Sequence, residues 1–583
     1  MRSVRAAFVG LSLSAAWFPA LAQTVPPTGT TREEIERARP APAPLANTPG
    51  VTVESDFERA PCPLADPKYK DITFELREVQ FGGLRSIPAD LVRPAYADLV
   101  GKTVSVAEIC EIRDRAATIL RREGYLAAVQ VPPQRIENGV IRFDALVAKL
   151  VGVQVRGQTG RSEELIAAYL RHIQNQDVFN IREAERYLLL ARDIPGLDVR
   201  LILRPANAAP GEVIGEVTVT RVAVEADAYV QNLGSRSVGR WGGLARVQLN
   251  DLTGLGDRTT LSVFSTLDFD EQQVIEGGHS FKIGGEGLTF SGDVSYAWTR
   301  PSLTPQLDIK ARTLSAFAEL SYPFLRSQTQ NLFGSAGLNV VNQNVDFNDT
   351  ALTRDHIRVA YARLDYDSVD PRSIASTTGF SLAEPHWRVA GGLELRQGLD
   401  LNASNRCVAN QICLLSRSAA DPTAFVARAT ALVEYRPMPH LAFSIAPRAQ
   451  YAPNSLVSYE QFSVGNFTTG RGYDPGALTG DSGLGFQSEV RVGSLLPRTI
   501  DGFAFQPYAF ADLGIVWNHV ASAVGQPDPQ RLWSVGGGVR AAWGQRARLD
   551  VTLAAPLNRT PVQPNRDVRL LVTLSTKLLP WRR

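Results

Sequence analysis

After its first residues, the 583-residue sequence has no uninterrupted apolar run long enough for a membrane helix. Such a helix needs about 18 or more consecutive apolar residues, so the sequence excludes an ordinary helical membrane protein. It also has almost no excess of one charge, because 61 basic and 59 acidic residues give a formal net charge of +2. This balance gives no sign of a nucleic-acid partner or of a polybasic membrane surface.

The sequence also lacks complete motifs of three enzyme classes, which are serine proteases, nucleotide-binding enzymes and metalloenzymes. Residues 480–483, with the sequence Gly-Asp-Ser-Gly, imitate the nucleophile motif of chymotrypsin-like proteases. A serine protease also needs a His base and an orienting Asp, and none of the six histidines stands in a recognisable context. Residues 254–257 lack the rest of a nucleotide-binding fingerprint, and no His/Cys spacing suggests a metal site. We therefore expect no enzymatic activity, no cofactor and no bound metal.

Residues 1–22 are typical of a secretory signal peptide. Two arginines precede a short apolar stretch at 6–17, and residues 20–22 (Ala-Leu-Ala) fit the small-x-small rule for cleavage. The alternative is a buried N-terminal helix. We expect an exported mature chain that begins at Gln23. An exported protein without membrane helices is periplasmic, secreted or an outer-membrane β-barrel.

The sequence has only four cysteines, and an exported protein can oxidise them to disulfides. Cys407 and Cys413 lie close together in a polar stretch, where they would close a small surface loop. Cys62 and Cys110 would tie the start of the first folded domain to one of its helices. We expect the pairing 62–110 and 407–413, with four free thiols as the alternative.

Residues 23–61 are rich in Pro, Thr and Ala and are predicted to be mostly a linker. Residues 31–39 differ, because they have helical propensity and acidic residues early in the segment. Thr30 or Thr31 is the expected N-cap, and Pro40 ends the helix. A short polar helix therefore precedes a flexible tether.

Residues 62–221 contain an internal repeat of two α+β units, which we place at 62–150 and 151–221. For the first unit we predict a strand at 72–76, helices at 88–100 and 106–123, and strands at 127–131 and 140–150. For the second unit we predict a strand at 151–155, helices at 162–173 and 181–192, and strands at 199–203 and 212–221. Such a repeat indicates tandem small domains.

From residue 222 to residue 583, helical periodicity disappears and segments of roughly ten residues alternate between apolar and polar positions. A soluble β-sandwich also alternates. Charged residues such as Glu319, Arg428 and Arg569 lie in the middle of predicted strands, however, and a packed sandwich core would not accept them. A water-filled lumen would, so the pattern favours a membrane β-barrel.

Several motifs resemble those of one transporter family. They lie at 124–125 and 131–134, at 193–197, and near the two ends of the barrel region at 231–240 and 534–540. The chain resembles the two-partner secretion (type Vb) transporters, the haemolysin/haemagglutinin secretion-activation family. The resemblance covers nearly the whole mature chain. It implies a membrane β-barrel of about 16 antiparallel strands in the bacterial outer membrane, preceded by two small α+β POTRA (polypeptide-transport-associated) domains in the periplasm.

The resemblance also implies a function and partners. The chain would recognise a partner exoprotein with an N-terminal secretion domain and secrete it through a barrel embedded in outer-membrane lipid. A factor that inserts other barrels and a passive porin remain alternatives. Edge strands of the POTRA sheets can capture an extended client by β-augmentation. For this role we predict residues in two strands: Val151, Val153, Val155, Val217 and Val219.

Residues 462–489 resemble a long loop that, in the family, folds back into the barrel. Its tip would be Arg471, Gly472 and Tyr473, and its partner on the barrel wall would be Asp512. A guanidinium and a carboxylate in a partly dehydrated lumen form a bidentate, charge-assisted contact, which we refer to as the lock. The family usually has Val where this sequence has Gly470. By position, the helix at 31–39 corresponds to a removable plug, with a disordered leader as the alternative.

Overall fold

The structure is a computed structural model, and it describes residues 30–36, 51–53, 62, 64, 66–174, 176–206, 211–302, 308–374, 379–520, 527–561 and 563–580. The expected signal peptide at 1–22 lies outside the described residues. So does most of the expected linker, and the expected plug helix at 31–39 is described only as far as residue 36.

The chain begins with a short helix, α1 (Arg32–Glu36), and a short strand, β1 (Val51–Val53). α1 starts with a capping box. The Thr31 Oγ accepts a hydrogen bond from the Glu34 N–H at 3.2 Å, and the Glu34 carboxylate accepts one from the Thr31 N–H at 2.8 Å. These two bonds satisfy backbone donors that would otherwise have no partner at the start of the helix.

The first α+β unit contains, in order, β2 (Thr73–Glu75), β3 (Glu78–Gly82), β4 (Thr103–Ser105), α2 (Glu108–Arg122), β5 (Ala127–Gln130) and β6 (Val140–Val147). β6 is the central strand of a sheet in the order β3–β6–β5. α2 has an apolar face of Ile109, Ile112, Ala116 and Leu120, which is buried against this sheet's core.

The prediction of a helix at 88–100 is wrong. The chain forms only two single 3-10 turns there, Ala89–Leu91 and Arg93–Ala95. Pro94 explains the difference, because it has no N–H to continue a helix and its ring disfavours the helical conformation of the residue before it. The strand predicted at 140–150 also ends early. It breaks at Ala148, whose N–H donates to the Leu126 carbonyl at 2.8 Å.

The second α+β unit contains β7 (Lys149–Gly157), α3 (Glu163–Gln174), α4 (Ile181–Arg192), β8 (Leu197–Pro205) and β9 (Glu212–Arg221). Its sheet has the order β1–β8–β9–β7, so β1 from the N-terminal segment forms one edge and β7 the other. α3 and α4 cover one face of the sheet and share a buried core with β8 and β9. None of the helices in the described residues is long and apolar enough to cross a membrane.

The remaining chain forms a closed antiparallel barrel in which β10 pairs with β27. Its sixteen strands are β10 (Val224–Gln231), β11 (Gly242–Asn250), β12 (Arg258–Thr266), β13 (Gln272–Ile283), β14 (Leu288–Thr299), β15 (Ile309–Arg326), β16 (Gln330–Phe347), β17 (Thr350–Val369), β18 (Trp387–Gly398), β19 (Phe425–Met438), β20 (Leu441–Tyr451), β23 (Ser482–Val492), β24 (Phe503–Trp517), β25 (Gln530–Trp543), β26 (Ala547–Pro556) and β27 (Arg569–Leu579). Two further strands, β21 (Phe462–Val464) and β22 (Leu478–Gly480), pair with each other between β20 and β23. The predicted fold class is confirmed.

The barrel has an apolar outer face and a polar inner face. On β15 and β16, for example, Leu320 and Leu338 are exposed, whereas Ser315 and Gln343 are buried. This arrangement is the reverse of a soluble protein and suits a barrel with hydrocarbon outside and polar groups inside.

The second α+β unit docks on the turns at one end of the barrel. At the β15 end, the Arg326 guanidinium makes a bidentate ion pair with the Asp193 carboxylate, with both N–O distances 2.8 Å. At the β11–β12 turn, Asp251 accepts hydrogen bonds from the Ser162 hydroxyl at 2.5 Å and the Arg161 N–H at 2.8 Å. These contacts fix the orientation of the N-terminal domains relative to the barrel.

A carboxylate is also buried in this interface. Glu185 of α4 accepts a hydrogen bond from the Gln328 N–H at 2.6 Å, in the turn after β15. Burial raises the pKa of Glu185 above its ordinary value, although this hydrogen bond and nearby Arg326 act in the opposite direction.

Candidate functional site in the barrel lumen

The segment between β20 and β23, residues 452–481, folds into the barrel, and we call it the lumen loop. Its β21–β22 hairpin lies against the inner wall. Phe462, Val464 and Tyr473 of the loop pack with Val516 and Leu532 of β24 and β25 in one buried cluster. The loop is therefore packed against the wall as a folded element.

At the tip of the lumen loop, Arg471 contacts Asp512 of β24 through three hydrogen bonds. The side chain donates from Nε to Oδ2 at 3.0 Å and from Nη2 to Oδ1 at 2.7 Å, and the Arg471 backbone N–H donates to Oδ2 at 3.0 Å. Ser534 of β25 donates a fourth hydrogen bond to this carboxylate, at 3.2 Å. Asp512 is 1% exposed, so its charge is stabilised by these donors and not by bulk water.

Arg471 also has partners that the sequence reasoning missed. Its Nη1 donates to Glu489 of β23 at 2.5 Å, and its guanidinium lies 3.7 Å from the centre of the Phe510 ring. Glu489 in turn accepts two hydrogen bonds from Arg540 of β25, at 2.8 and 2.9 Å. The alternation of β23 could have indicated Glu489, because it places this acid on the same face as the lumen residues of its neighbours.

The glycines beside Arg471 allow the tip to approach the wall. Gly470 has φ +110°, a conformation that L side chains rarely adopt, and a Cβ there would lie 2.6 Å from Leu532 Cδ1. A Cβ on Gly472 would lie 2.7 Å from the Pro556 nitrogen. The Val that the family usually has at position 470 would not fit this backbone. Tyr473 is fully buried, with its hydroxyl 2.8 Å from the Asn558 carbonyl oxygen.

A second ion cluster, also missed from the sequence, lies at the start of the lumen loop. Glu460 accepts hydrogen bonds from Arg396 of β18 at 2.7 and 3.1 Å and from Arg428 of β19 at 2.7 Å. Gln450 donates to the Glu460 carbonyl at 3.0 Å. The sequence identified Arg428 as a lumen charge, but its partner Glu460 lies 32 residues away in a loop. Charged contacts therefore hold the lumen loop near its start and at its tip.

α1 lies in the lumen beside the lumen loop. The Gln343 side chain of β16 donates to the Thr30 carbonyl at 2.8 Å, and the Thr30 hydroxyl lies 2.7 Å from the Thr299 hydroxyl at the end of β14. Ile35 is fully buried in a cluster that includes Val341 and Ile357 of the wall and Val457 and Tyr459 of the lumen loop. The helix thus packs against both the barrel and the loop.

The segment between β18 and β19, residues 399–424, packs against α1 and the lumen loop, and we call it the lid. Cys407 and Cys413 of the lid form a disulfide and pack against the cluster around Ile35. Arg417 of the lid pairs with Asp481 of the lumen loop. Lid, loop and helix therefore share one set of contacts.

The other expected disulfide pair lies far from the lumen. Cys62 and Cys110 are bonded, with their Cα atoms 6.0 Å apart. This bond ties residue 62 to α2 in the first α+β unit.

The residues predicted for client binding divide into two groups. Val151 and Val155 are exposed on the edge strand β7, and Val153 is partly buried against the core. The prediction is wrong for Val217 and Val219, because β9 is a central strand paired with β8 on one side and β7 on the other. Both side chains are buried, and no backbone edge of β9 is left to bind a client.

Comparison with known proteins identifies the family. The family described as "Haemolysin secretion/activation protein ShlB/FhaC/HecB" matches residues 216–541. The chain belongs to this family. The "POTRA domain, ShlB-type" matches residues 74–146, within the first α+β unit. The protein is therefore a two-partner secretion transporter, which secretes a partner exoprotein, and we call its two α+β units POTRA1 and POTRA2.

Individual relatives are distant in sequence. The chain is 23% identical to a heme/hemopexin transporter protein HuxB of Haemophilus influenzae over 548 residues, which cover 91% of this chain and 92% of the relative. Among solved structures, CdiB from Escherichia coli aligns with TM-score 0.69 and 15% identity, covering 90% of this chain and 94% of CdiB. CdiB from Acinetobacter baumannii aligns with TM-score 0.64 and 18% identity, covering 91% and 95%. These two structures share the fold of this chain.

Proposed function

We propose that this transporter works in the bacterial outer membrane, with its POTRA domains in the periplasm. Its client is an exoprotein that carries an N-terminal secretion domain, and the chain has no enzymatic role. The observation that supports this proposal is the content of the lumen. The barrel is filled by α1 and the lumen loop, and neither is part of its wall. Both can therefore move without opening the barrel.

Client capture is proposed to occur in POTRA2. β7 is an edge strand with a partner only on its β9 side among the described residues, so its other side can bind an extended segment. Backbone hydrogen bonds supply affinity in such β-augmentation, and alternate side-chain contacts supply selectivity. The exposed Val151 and Val155 would provide these contacts.

Passage is proposed to follow the movement of α1 and the lumen loop. Ion pairs and hydrogen bonds join α1 and the lumen loop to the wall beside the buried apolar clusters, and a client that enters would have to replace these contacts. The client would pass the polar inner wall as an extended chain and fold outside. Folding outside would give transport its direction, since this chain shows no P-loop for ATP hydrolysis.

The test is secretion of a candidate partner exoprotein, sought among the genes next to this protein's gene, in cells with and without the transporter. We expect secretion to depend on the transporter and to be lost when Val153→Pro interrupts β7. The matched variant Val153→Thr retains the backbone N–H and should secrete normally. Exoprotein release without the transporter would contradict the proposal. Loss of other barrels from the membrane would favour the assembly-factor alternative, and pore conductance insensitive to removal of α1 would favour the porin alternative.

A further inference from the structure

A group of arginines surrounds one carboxylate of the lumen loop at the end of the barrel opposite POTRA2. POTRA2 contacts the β11–β12 and β15–β16 turns. In an antiparallel barrel, the β10–β11 turn and the β26–β27 connection therefore lie at the other end. Arg236 and Arg240 belong to that turn, Arg569 begins β27, and Asp474 directly follows Tyr473 of the loop tip. We call Arg236, Arg240, Arg569 and Asp474 the mouth cluster.

The Arg569 guanidinium is buried without a hydrogen bond. Its side chain is 7% exposed, and none of its three nitrogens donates a hydrogen bond to any residue that the structure describes. The Asp474 Oδ1 lies 2.9 Å from Nη1, but the N–H bonds are not directed at this oxygen. Buried donors without acceptors cost free energy. Asp474 therefore neutralises the charge of Arg569 without satisfying its donors.

The other contacts of Asp474 in the mouth cluster are long. The Arg240 Nη1 donates to its carboxylate at 3.4 Å and the Arg236 backbone N–H donates at 3.5 Å, whereas the Asp512 carboxylate accepts side-chain hydrogen bonds at 2.7 and 3.0 Å. A second carboxylate, Asp567, lies 4.0 Å from the Arg236 guanidinium and is largely exposed. Three guanidinium groups thus face two carboxylates, and the cluster keeps a positive charge.

Exposed apolar side chains beside the mouth cluster indicate where it lies relative to lipid. Trp241 directly follows Arg240 and is exposed, and Phe269 is exposed in the neighbouring β12–β13 turn. The two turns are joined, because the Leu267 N–H donates to the Trp241 carbonyl at 3.1 Å. Aromatic side chains collect at the membrane interface, at the level of the lipid headgroups. This is the depth at which lipid phosphates lie.

We propose that the mouth cluster binds a phosphate group, which takes the place of the Asp474 carboxylate between Arg240 and Arg569. A phosphate group brings several acceptor oxygens and about two negative charges, and arginine binds it through paired N–H bonds. It can therefore satisfy donors of Arg569 that one carboxylate oxygen leaves unsatisfied. A lipid headgroup and free phosphate both present this chemistry. The lipid source rests on the proposed outer-membrane location, whereas binding of free phosphate does not.

The test measures binding of two probes to the full-length transporter in detergent by equilibrium dialysis. The probes are radiolabelled inorganic phosphate and a short-chain phosphatidic acid. We expect Arg569→Gln to weaken binding about tenfold or more, because charge-assisted hydrogen bonds are lost. Asp474→Asn should strengthen binding by a similar factor, since the competing carboxylate is removed. The matched control is Arg566→Gln, which removes an exposed arginine from the same connection and should bind as the wild type does.

The two probes distinguish the sources of the phosphate. Tighter binding of phosphatidic acid than of inorganic phosphate would assign the site to a lipid headgroup, and equal or weaker binding would assign it to free phosphate. No binding of either probe, or equal affinities of the wild type and Arg569→Gln, would overturn the inference. So would tighter binding of poly-glutamate than of phosphate, because it would assign the site to an acidic polypeptide.

Two further points keep the test decisive. If Arg569→Gln does not fold, which heat-modifiable migration on gels would show, Asp474→Asn decides alone, and unchanged or weaker binding by that variant would overturn the inference. The assay does not involve secretion. Failure of the proposed secretion function would therefore leave the binding result unchanged.

Discussion

Asp512 shows how a single side chain holds the lumen loop against the barrel wall. It accepts hydrogen bonds from Arg471 and Ser534 and is almost completely buried. Because the ion pair is buried, the free-energy cost of losing one partner differs from the stabilisation that the intact pair provides. Removing one partner leaves a charge without compensation and costs more than the intact pair contributes to stability. The same reasoning applies to Glu460, which faces Arg396 and Arg428.

Arg471→Ala is expected to undock the lumen loop. It leaves the Asp512 carboxylate buried without its cation, at a cost of about 3 kcal/mol. We expect loss of secretion with normal barrel insertion, measured by exoprotein in the medium and by heat-modifiable migration on gels. Arg471→Lys should retain part of the activity, because lysine keeps the charge but loses the bidentate geometry. Normal secretion by Arg471→Ala would refute the role of the lock.

At the scale of elements, α1, the lumen loop and the lid are stabilised together. The described part of α1 is five residues long, and a helical segment of this length is not stable alone in water. Its position depends on the capping box at Thr31 and on the burial of Ile35 among residues of the wall and the loop. Weakening any of these three elements should therefore loosen the other two.

Ile35→Ala is expected to release α1 from the lumen. Truncation of a fully buried isoleucine costs about 3 kcal/mol, which shifts the docking equilibrium roughly a hundredfold. We expect more frequent channel opening in planar bilayers. Ile35→Val is the control, because it keeps most of the same buried apolar side chain and should cost only about 1 kcal/mol. Identical opening of the two variants would contradict a role for Ile35 in closing the pore.

Loss of the lid disulfide is expected to have a similar effect. A bond that closes so small a loop stabilises it by about 2 kcal/mol, and Cys407 and Cys413 pack against the cluster around Ile35. Replacing both with serine should increase channel opening. Replacing Cys62 and Cys110 with serine removes the other disulfide, far from the lumen, and should leave opening unchanged in the absence of client. More frequent channel opening in the Cys62/Cys110 variant than in the Cys407/Cys413 variant would show that the lid does not support α1.

At the scale of the whole molecule, POTRA2 and the barrel form one unit. The pair between Asp193 and Arg326 and the contacts of Asp251 with Ser162 join the second α+β unit to two different turns. POTRA1 is joined to POTRA2 in turn, because Val178 of POTRA2 is buried in the core of POTRA1. A strand captured by POTRA2 would therefore be held in a fixed position relative to the barrel.

This interface should depend on pH. Burial raises the pKa of Glu185 in the docked state. The protonated form is therefore favoured when docked, so docking is strongest below the ordinary pKa and weakens as pH rises through the raised pKa. We expect higher protection factors, in which exchange rates are corrected for the intrinsic pH dependence of amide exchange, at the β15–β16 turn in mildly acidic buffer than at neutral pH. Glu185→Gln should remove this pH dependence. If the pH dependence persists in the variant, another titratable group causes it.

The sequence by itself determined the elements whose signal is local. Alternation with charges in mid-strand predicted the barrel, and cysteine positions predicted both disulfides seen in the structure. The contact of Arg471 with Asp512 was instead implied by the resemblance to the transporter family. Pro94 is also a local signal, and the prediction of a helix at 88–100 did not take it into account.

Only the tertiary structure decided how distant segments meet. It showed that β9 is central and not an edge, that Glu460 faces Arg428, and that β1 pairs with β8. The contact of Gln343 with Thr30 joins residues 313 apart in the chain. Periodicity identifies which face of a strand is buried, but it carries no information about which strand lies beside it. Strand neighbours are fixed by closure of the barrel and by packing of the domains, and these are properties of the whole chain.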